Sequence, residues 1–517
     1  MLHPYSRPAV CILRPGGLFY SPRTQPSKAR RFFRPDFFAH FLPVILLCPT
    51  PQPATVSRRT ITILGGGFSG SMLLVQLAQL PGSYAWDVHL VEPRALAGPG
   101  LAYSARRKEY LLNVRAPFLS AFPQQPDHFS TWLGASKAPP CAGGFCTRQT
   151  YGRYLQQLTE EVLAWPSANG MRFFRHHQKA VAAVPHPEGR AATVRLADGH
   201  EIPSELVVLA LGNFPPAPDL RLSSEVRHHA RYHSNPWGPL ALQNIAPDDT
   251  VLLIGSGLTA VDVLLGLAAD GHHGQVTVVA RNGRWPTVHG PLGHTYPSFY
   301  AAELAGLTTV AEVVRVVRRH VRAALALGLD WRPVIDSLRP DLGRIWQAWS
   351  VAEQARFLRH VASIWSVVRH RSPPQNAEAV QSMLDQGIVQ MQLGKVQHIE
   401  ASGPDLQVSI SRRGQQEQLT VQHVISCTGP LLDYSRIPDP LVSGLRNAGQ
   451  LVPDALHLGI VTDAHGALQN TQGEVSEVFF TLGPSRRPAY FESTAVPELR
   501  QQALALAQHL QGRLAQA

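Results

Sequence analysis

Two periods of apolar and polar positions alternate along this chain, and the switches between them mark its units. Thr60-Ile61-Thr62-Ile63-Leu64 alternates as a strand does. Gly65-Gly66-Gly67-Phe68-Ser69-Gly70 follows, and Ser71-Met72-Leu73-Leu74-Val75-Gln76-Leu77 continues with helical spacing. A second strand, Trp86 to Val91, ends at Glu92. The same order returns at Val251-Leu252-Leu253-Ile254, then Gly255-Ser256-Gly257-Leu258-Thr259-Ala260, then a strand from Gln275 to Ala280 ending at Arg281. Further strand patterns lie at 191–202, 206–212, 406–410, 421–429 and 478–483. Residues 300–390 read as helical. Glu303 to Leu327 has apolar spacing with Arg315, Arg318, Arg319 and Arg322 on one face, and Trp346, Trp349, Phe357 and Trp365 recur at helical spacing as a subdomain core. A last helix is predicted over Gln501 to Leu514, opened by Pro497 and Glu498.

The glycines say what the two strand–turn–helix units are for. Gly65 makes a tight turn, Gly67 lets backbone approach a pyrophosphate, and Gly70 lets the helix pack on the strand. Phe68 and Ser69 then open a helix whose first N–H groups and positive dipole end suit phosphates. Glu92 stands where a ribose hydroxyl needs an acceptor. In the second unit Gly255 and Gly257 keep their places, Leu258 and Thr259 open the helix, and Ala260 replaces the third glycine. Its second strand ends in Ala280-Arg281 instead of an acid, which favours a 2′-phosphate and hence NADPH over NADH. The first unit suits FAD. A chain holding both is most economically a flavoprotein that takes hydride from a nicotinamide. The fold class is α/β, with two Rossmann-like dinucleotide-binding domains and a helical subdomain. The FAD domain is expected to be discontinuous, at 58–235 and 400–517. The NAD(P) core is placed at 236–300, and a helical subdomain at 301–399 returns to it.

Charge changes this picture little. The chain has 517 residues and a net charge of +11, but residues 1–59 hold nine Lys/Arg and one Asp. The remainder carries only about +3, so no phosphate-tracking groove for nucleic acid is expected. Residues 1–57 are proline-rich and aperiodic, and read as an extension or an upstream start. Arg30-Arg31-Phe32-Phe33-Arg34 before an apolar run has the order of a twin-arginine signal, but Pro35, Asp36, His40 and Pro43 interrupt it. A cytoplasmic, non-membrane protein is the expectation. Of five cysteines, only Cys141 and Cys146 lie close together, in a Pro/Gly-rich loop, and they read as incidental thiols rather than a redox pair. No metal-ligand spacing is present. A cluster of Arg281, Arg284, His289, His294, Arg369 and Arg371 hints at an anionic ligand, for which NADPH phosphates could account.

These segments, with Gly100-Leu101-Ala102-Tyr103, Leu111 to Ala116, Tyr151-Gly152-Arg153-Tyr154, Arg369-His370-Arg371 and Thr494 to Arg500, resemble a family of FAD/NAD(P)-binding proteins. That family includes FAD-dependent urate hydroxylase and aspartate N-monooxygenase. The resemblance runs from about 58 to 514. It implies FAD on the first unit with Leu112 and Asn113 near the isoalloxazine, NAD(P)H on the second, and oxygen transfer through a flavin C4a-hydroperoxide. In flavoproteins of this layout the exit of the last strand at Gly483, and Thr494-Ala495 before the C-terminal helix, lie at the flavin. Related oxygenases carry Phe-x-Gly-x-x-x-His-x-x-x-aromatic between the two units. Here His233 and Trp237 remain while Arg227 and His229 replace the Phe and Gly. The chemistry belongs to the cofactor, so no catalytic side chain is assigned. The alternatives are a flavin reductase or dehydrogenase without oxygenase activity, and a binding protein using FAD as a redox sensor.

Overall fold

The computed structural model describes residues 58–515, except 106, 137–138, 140, 142, 166–168, 217–221 and 239–240. The N-terminal extension read at 1–57 lies outside the described residues.

Two mainly parallel sheets carry the fold. The first runs in the order Ala467–Gln469, Val475–Thr481, Leu206–Leu209, Arg59–Leu64, Trp86–Val91, Arg172–His176, with only the Ala467–Gln469 edge antiparallel. The second runs Val389–Leu393, Val276–Ala280, Val251–Ile254, His423–Ser426, Tyr232–His233, all parallel. In each, the strand leading into a glycine turn is central. Parallel strands are covered on both faces, which is why Leu206–Leu209 and Val251–Leu253 read as unbroken apolar runs and are fully buried. A three-stranded antiparallel sheet precedes Leu206–Leu209 in the first unit and His423–Ser426 in the second. In the first it is Ala180–Pro185, Ala192–Leu196 and Glu201–Ser204, and in the second Lys395–Ser402, Asp405–Arg412 and Gln415–Val421. The chain is thus one plan used twice.

Sheet membership corrects the expected boundaries. Tyr232–His233 pairs with His423–Ser426, so the second unit begins before 236. Residues 395–421 form a separate antiparallel sheet and His423–Ser426 lies in the second parallel sheet, so the chain returns to the first unit's core at Tyr434 and to its sheet at Ala467–Gln469, not at 400. The expected strand pair at 191–202 is present as Ala192–Leu196 and Glu201–Ser204, with Ala180–Pro185 joining as a third strand, and the edge strand Arg172–His176 carries no clear strand pattern because charges interrupt it. The helix expected over Glu303–Leu327 is a π-turn at Tyr300–Leu304 followed by a helix at Val310–Ala326. The last helix is Val496–Ala515, starting five residues earlier than its apolar pattern, with Pro497 in its first turn.

The aromatic series does form a core. Trp346 is 2% exposed, its ring stacks on Phe491 with centroids 4.8 Å apart, and its Nε1 donates to the Pro488 carbonyl at 2.8 Å. Trp349 and Phe357 pack around it. The C-terminal helix shares a core with the first glycine helix, Phe68–Ala78, through Ala503, Leu506, Ala507 and Leu510. Among the described residues no helix is long and apolar enough to cross a membrane.

Trp346→Ala removes a buried indole from this cluster and orphans an accepted hydrogen bond. Its expected destabilisation is about 3–5 kcal/mol, read as a shifted denaturant midpoint by circular dichroism. A shift within error would mean that the cluster does not hold the subdomain.

Candidate functional site

The first glycine turn is built by contacts that exclude side chains. Gly65 has φ +110°, and a Cβ there would lie 2.3 Å from the Ala210 carbonyl oxygen. A Cβ on Gly70 would lie 1.9 Å from the Gly65 oxygen. The helix Phe68–Ala78 begins at Gly67 with no side-chain cap and no acidic residue in its first turn. Its first N–H groups therefore have no intrahelical acceptors and are free to meet an anion. Glu92 is 2% exposed. Its Oε2 accepts from Gly66 N at 2.8 Å, and its Oε1 accepts from Arg94 N at 2.9 Å and from the Arg94 guanidinium at 3.3 Å. The carboxylate thus braces the turn, and with about four lone-pair sites it keeps capacity for a hydroxyl donor.

A cavity of about 430 Å³ opens against this turn. Gly65, Gly67, Phe68, Ser69 and Glu92 line one side, and Thr259 of the second glycine helix and Thr494 of the C-terminal segment also reach it. The remaining expected site residues do not line it. Gly70 lies under the helix. Leu112 is buried, with its N–H donating to the Cys146 carbonyl at 2.8 Å. The Asn113 carbonyl accepts from His289 Nε2 at 3.0 Å. Gly255 has φ +107°, its Cβ position 2.9 Å from the Cys427 oxygen. Gly257 starts the helix Leu258–Ala269, again with no side-chain cap, and open space surrounds its Cβ position. Leu258 and buried Ala260 form that helix's first turn. Arg281 and Arg284 are exposed just past Val276–Ala280. Gly483, at φ +92°, seats the exit of the last strand on the first helix, its Cβ position 2.7 Å from Ser69 Oγ. The Ala495 carbonyl accepts from Glu498 N at 3.1 Å and Leu499 N at 3.0 Å, opening the C-terminal helix.

Sequence reasoning missed Arg148, Lys179, Phe214, Trp237 and Asp439 as lining residues. Phe214 follows a strand that ends in glycine, a signal that marks such a rim. Lys179 and Asp439 pair at 2.8 Å across the cavity edge, a contact over 260 residues that no local pattern encodes.

Two expectations are corrected. Cys141 and Cys146, expected as unpaired thiols, form a disulfide. Gly143 and Gly144, at φ +57° and +83°, reverse the loop and bring the two Cα atoms to 4.4 Å. The six residues expected as an anionic-ligand cluster do not act as one: three are engaged within the protein, and Arg281, Arg284 and His294 are exposed. Arg369 pairs with Glu492 at 3.0 Å, Arg371 with Asp336 at 2.8 Å, and His289 bonds Asn113. Burial chiefly lowers His289 to about 4, and burial with the neighbouring His423 lowers His233 to about 4.

Residues 62–214 match the family model described as FAD-NAD(P)-binding. No curated protein matches the chain in sequence. Among solved structures, the chain is similar to ornithine N-hydroxylase of Kutzneria sp. 744, solved with reduced FAD, NADP+ and L-ornithine. The two share 13% identity at a TM-score of 0.58, over 88% of this chain and 99% of that one. It is similar to L-lysine 6-monooxygenase of Pseudomonas syringae at 17% identity and a TM-score of 0.57, over 88% and 99%. It is also similar to the FAD-bound cadaverine monooxygenase of Erwinia amylovora at 13% and 0.55, over 88% and 94%. The fold is that of two-domain FAD/NAD(P)-binding flavoenzymes.

Peptide mapping without reductant is expected to recover Cys141 and Cys146 joined, and two separately alkylated peptides would refute the pairing. A buried neutral histidine binds a proton more readily in the unfolded chain, so its stabilising effect rises with pH. His233 and His289 contribute fully above pH 6.5 and lose that contribution as pH falls from 6.5 toward about 4. The thermal midpoint should fall over that window, and less steeply in His289→Gln. A midpoint that rises on acidification would contradict this.

Proposed function

We propose that this protein is an FAD-dependent, NADPH-using oxidoreductase, a single-component flavin monooxygenase acting on a small, anionic molecule with O2 as co-substrate. The carrying observation is the cavity beside the first glycine turn, lined by Gly65, Phe68 and Glu92 and reached from the second unit by Thr259. Two uncapped helix N-termini, the first opening on this cavity and the second reaching it through Thr259, suit two dinucleotides whose reactive ends must meet.

In this reading the N–H groups of Gly67, Phe68 and Ser69 hold the FAD pyrophosphate, and Glu92 accepts from the ribose. Gly255, Gly257, Leu258, Thr259 and Ala260 hold the nicotinamide dinucleotide, with exposed Arg281 and Arg284 available to the 2′-phosphate. Leu112, Asn113, Gly483, Thr494 and Ala495 border the flavin ring. When bound, FAD supplies hydride acceptance and activation of O2. The Asn113 carbonyl is fixed by His289, and the C-terminal helix starting beside Thr494 directs its positive end toward negative charge on the ring.

The substrate class rests on charge. The structurally similar enzymes are named for amines: ornithine, lysine and cadaverine. Beside Thr494 this chain places arginines. Glu492 and Glu498 are taken by Arg369 and Arg339. Arg487 and Arg500 form no ion pair among the described residues, and each keeps a buried Nε without a partner. Two half-buried cations with no carboxylate in direct contact, Arg500 donating to the Ser120 carbonyl at 2.8 Å, favour an anionic substrate.

The purified protein is expected to be yellow and to oxidise NADPH faster than NADH. Small acids of net negative charge should accelerate this oxidation and be converted to oxygenated products. Ornithine, lysine and cadaverine should not. NADPH oxidation that yields only hydrogen peroxide with every compound tried would leave a reductase. The absence of flavin would overturn the reading.

A further inference from the structure

The second glycine helix, Leu258–Ala269, is held at both ends by arginines from the first unit. Near its C-terminus, Arg107 donates to Asp270 Oδ1 at 2.7 Å and to the Gly266 carbonyl at 3.2 Å. That pair is solvent-exposed, and such pairs contribute little. Near its N-terminus the contact is of another kind. Arg148 donates from Nη2 to Asp262 Oδ2 at 2.9 Å, and Asp262 is 3% exposed. Burial pushes the Asp262 carboxyl up, against the pull of Arg148. Arg148 itself is fixed on three sides. Its N–H donates to the Tyr110 carbonyl at 2.8 Å, its guanidinium lies 5.6 Å from the centre of the Trp237 ring, and Nη1 reaches the Ala102 carbonyl at 3.4 Å.

Helix stability does not account for this arginine. Arg148 is the first residue of the helix Arg148–Leu163, where a positive charge opposes the dipole and no acid sits in the first turn. Asp262 lies five residues past Gly257, so the pair fixes the start of the helix whose Thr259 enters the cavity. Arg148 and Trp237 line the same cavity.

We propose that Arg148 and Asp262 are positioning residues: their buried pair sets the second glycine turn at the distance and angle from the first that hydride transfer requires. The inference rests on the function proposed above. Neither side chain acts on the reacting atoms. A misplacement of about 1 Å can slow such a step by about a hundred-fold while leaving binding intact.

The test compares the parent protein with Asp262→Asn, Arg148→Met and Arg107→Ala, all purified with their flavin. Anaerobic stopped-flow gives the limiting rate of flavin reduction and the dissociation constant for NADPH. Hydrogen–deuterium exchange of 258–269 reads the helix directly, without turnover. Asp262→Asn and Arg148→Met should reduce the limiting rate by about ten-fold or more. In Asp262→Asn, whose side chain lies outside the cavity, flavin content should stay unchanged, as should reoxidation by O2 after dithionite reduction. Exchange at the start of 258–269 should rise. Arg107→Ala should leave the rate within about three-fold of the parent, as an exposed pair would. Arg148→Lys keeps the charge without the planar fork, so it should lie between parent and Arg148→Met, and it serves if the latter fails to fold. Parent-like rates and exchange in Asp262→Asn overturn the inference while leaving the functional reading intact. A parent flavin reduced by neither nicotinamide overturns that reading, and this inference with it.

Discussion

The approach of Gly70 to the Gly65 carbonyl is the constraint on which the rest depends. Only hydrogen fits there, so the helix Phe68–Ala78 lies directly on its strand. That contact aims the uncapped helix end at the C-terminal edge of a parallel sheet, where ligands of open α/β folds sit. The second unit repeats the device less tightly. Ala260 takes the third glycine's place, and the Gly255 Cβ position is 2.9 Å from the facing carbonyl instead of 2.3 Å. One plan used twice yields two uncapped helix ends, the first on the cavity and the second reaching it through Thr259.

Distant segments converge on that cavity through ion pairs and aromatic packing. Arg339 with Glu498 and Arg369 with Glu492 tie the helical subdomain to residues flanking Thr494, and Trp346 stacks on Phe491 beside them. Buried pairs of this kind add little net stability over apolar packing, but removing one partner leaves an uncompensated charge. Their contribution here is geometric: they hold the start of the C-terminal helix against the cavity edge.

What could be read from sequence follows from the range of each interaction. Alternation, glycine spacing and helical periodicity are local, so both glycine units, the α/β class and the aromatic core of the subdomain were legible. Glu92 was legible because it ends a strand at a set distance from Gly70. Domain edges were not: His423–Ser426 looks like any buried strand until its pairing with Val251–Ile254 is known. Arg148 could be placed on a helix, but its partner lies 114 residues away. Arg369 and Arg371 looked available for a ligand because the carboxylates that engage them are distant in the chain. The disulfide needed the backbone reversal at Gly143-Gly144, which spacing alone does not specify.

The central claim is that two dinucleotides bind this chain together, each on its own glycine turn. Equilibrium dialysis of the flavin-loaded protein against NADP+ tests it most directly. The account predicts one NADP+ bound per chain with no flavin displaced, and loss of that binding, with flavin retained, in Gly257→Val. Flavin released in proportion to NADP+ bound would mean that the two compete for a single site, and would contradict it.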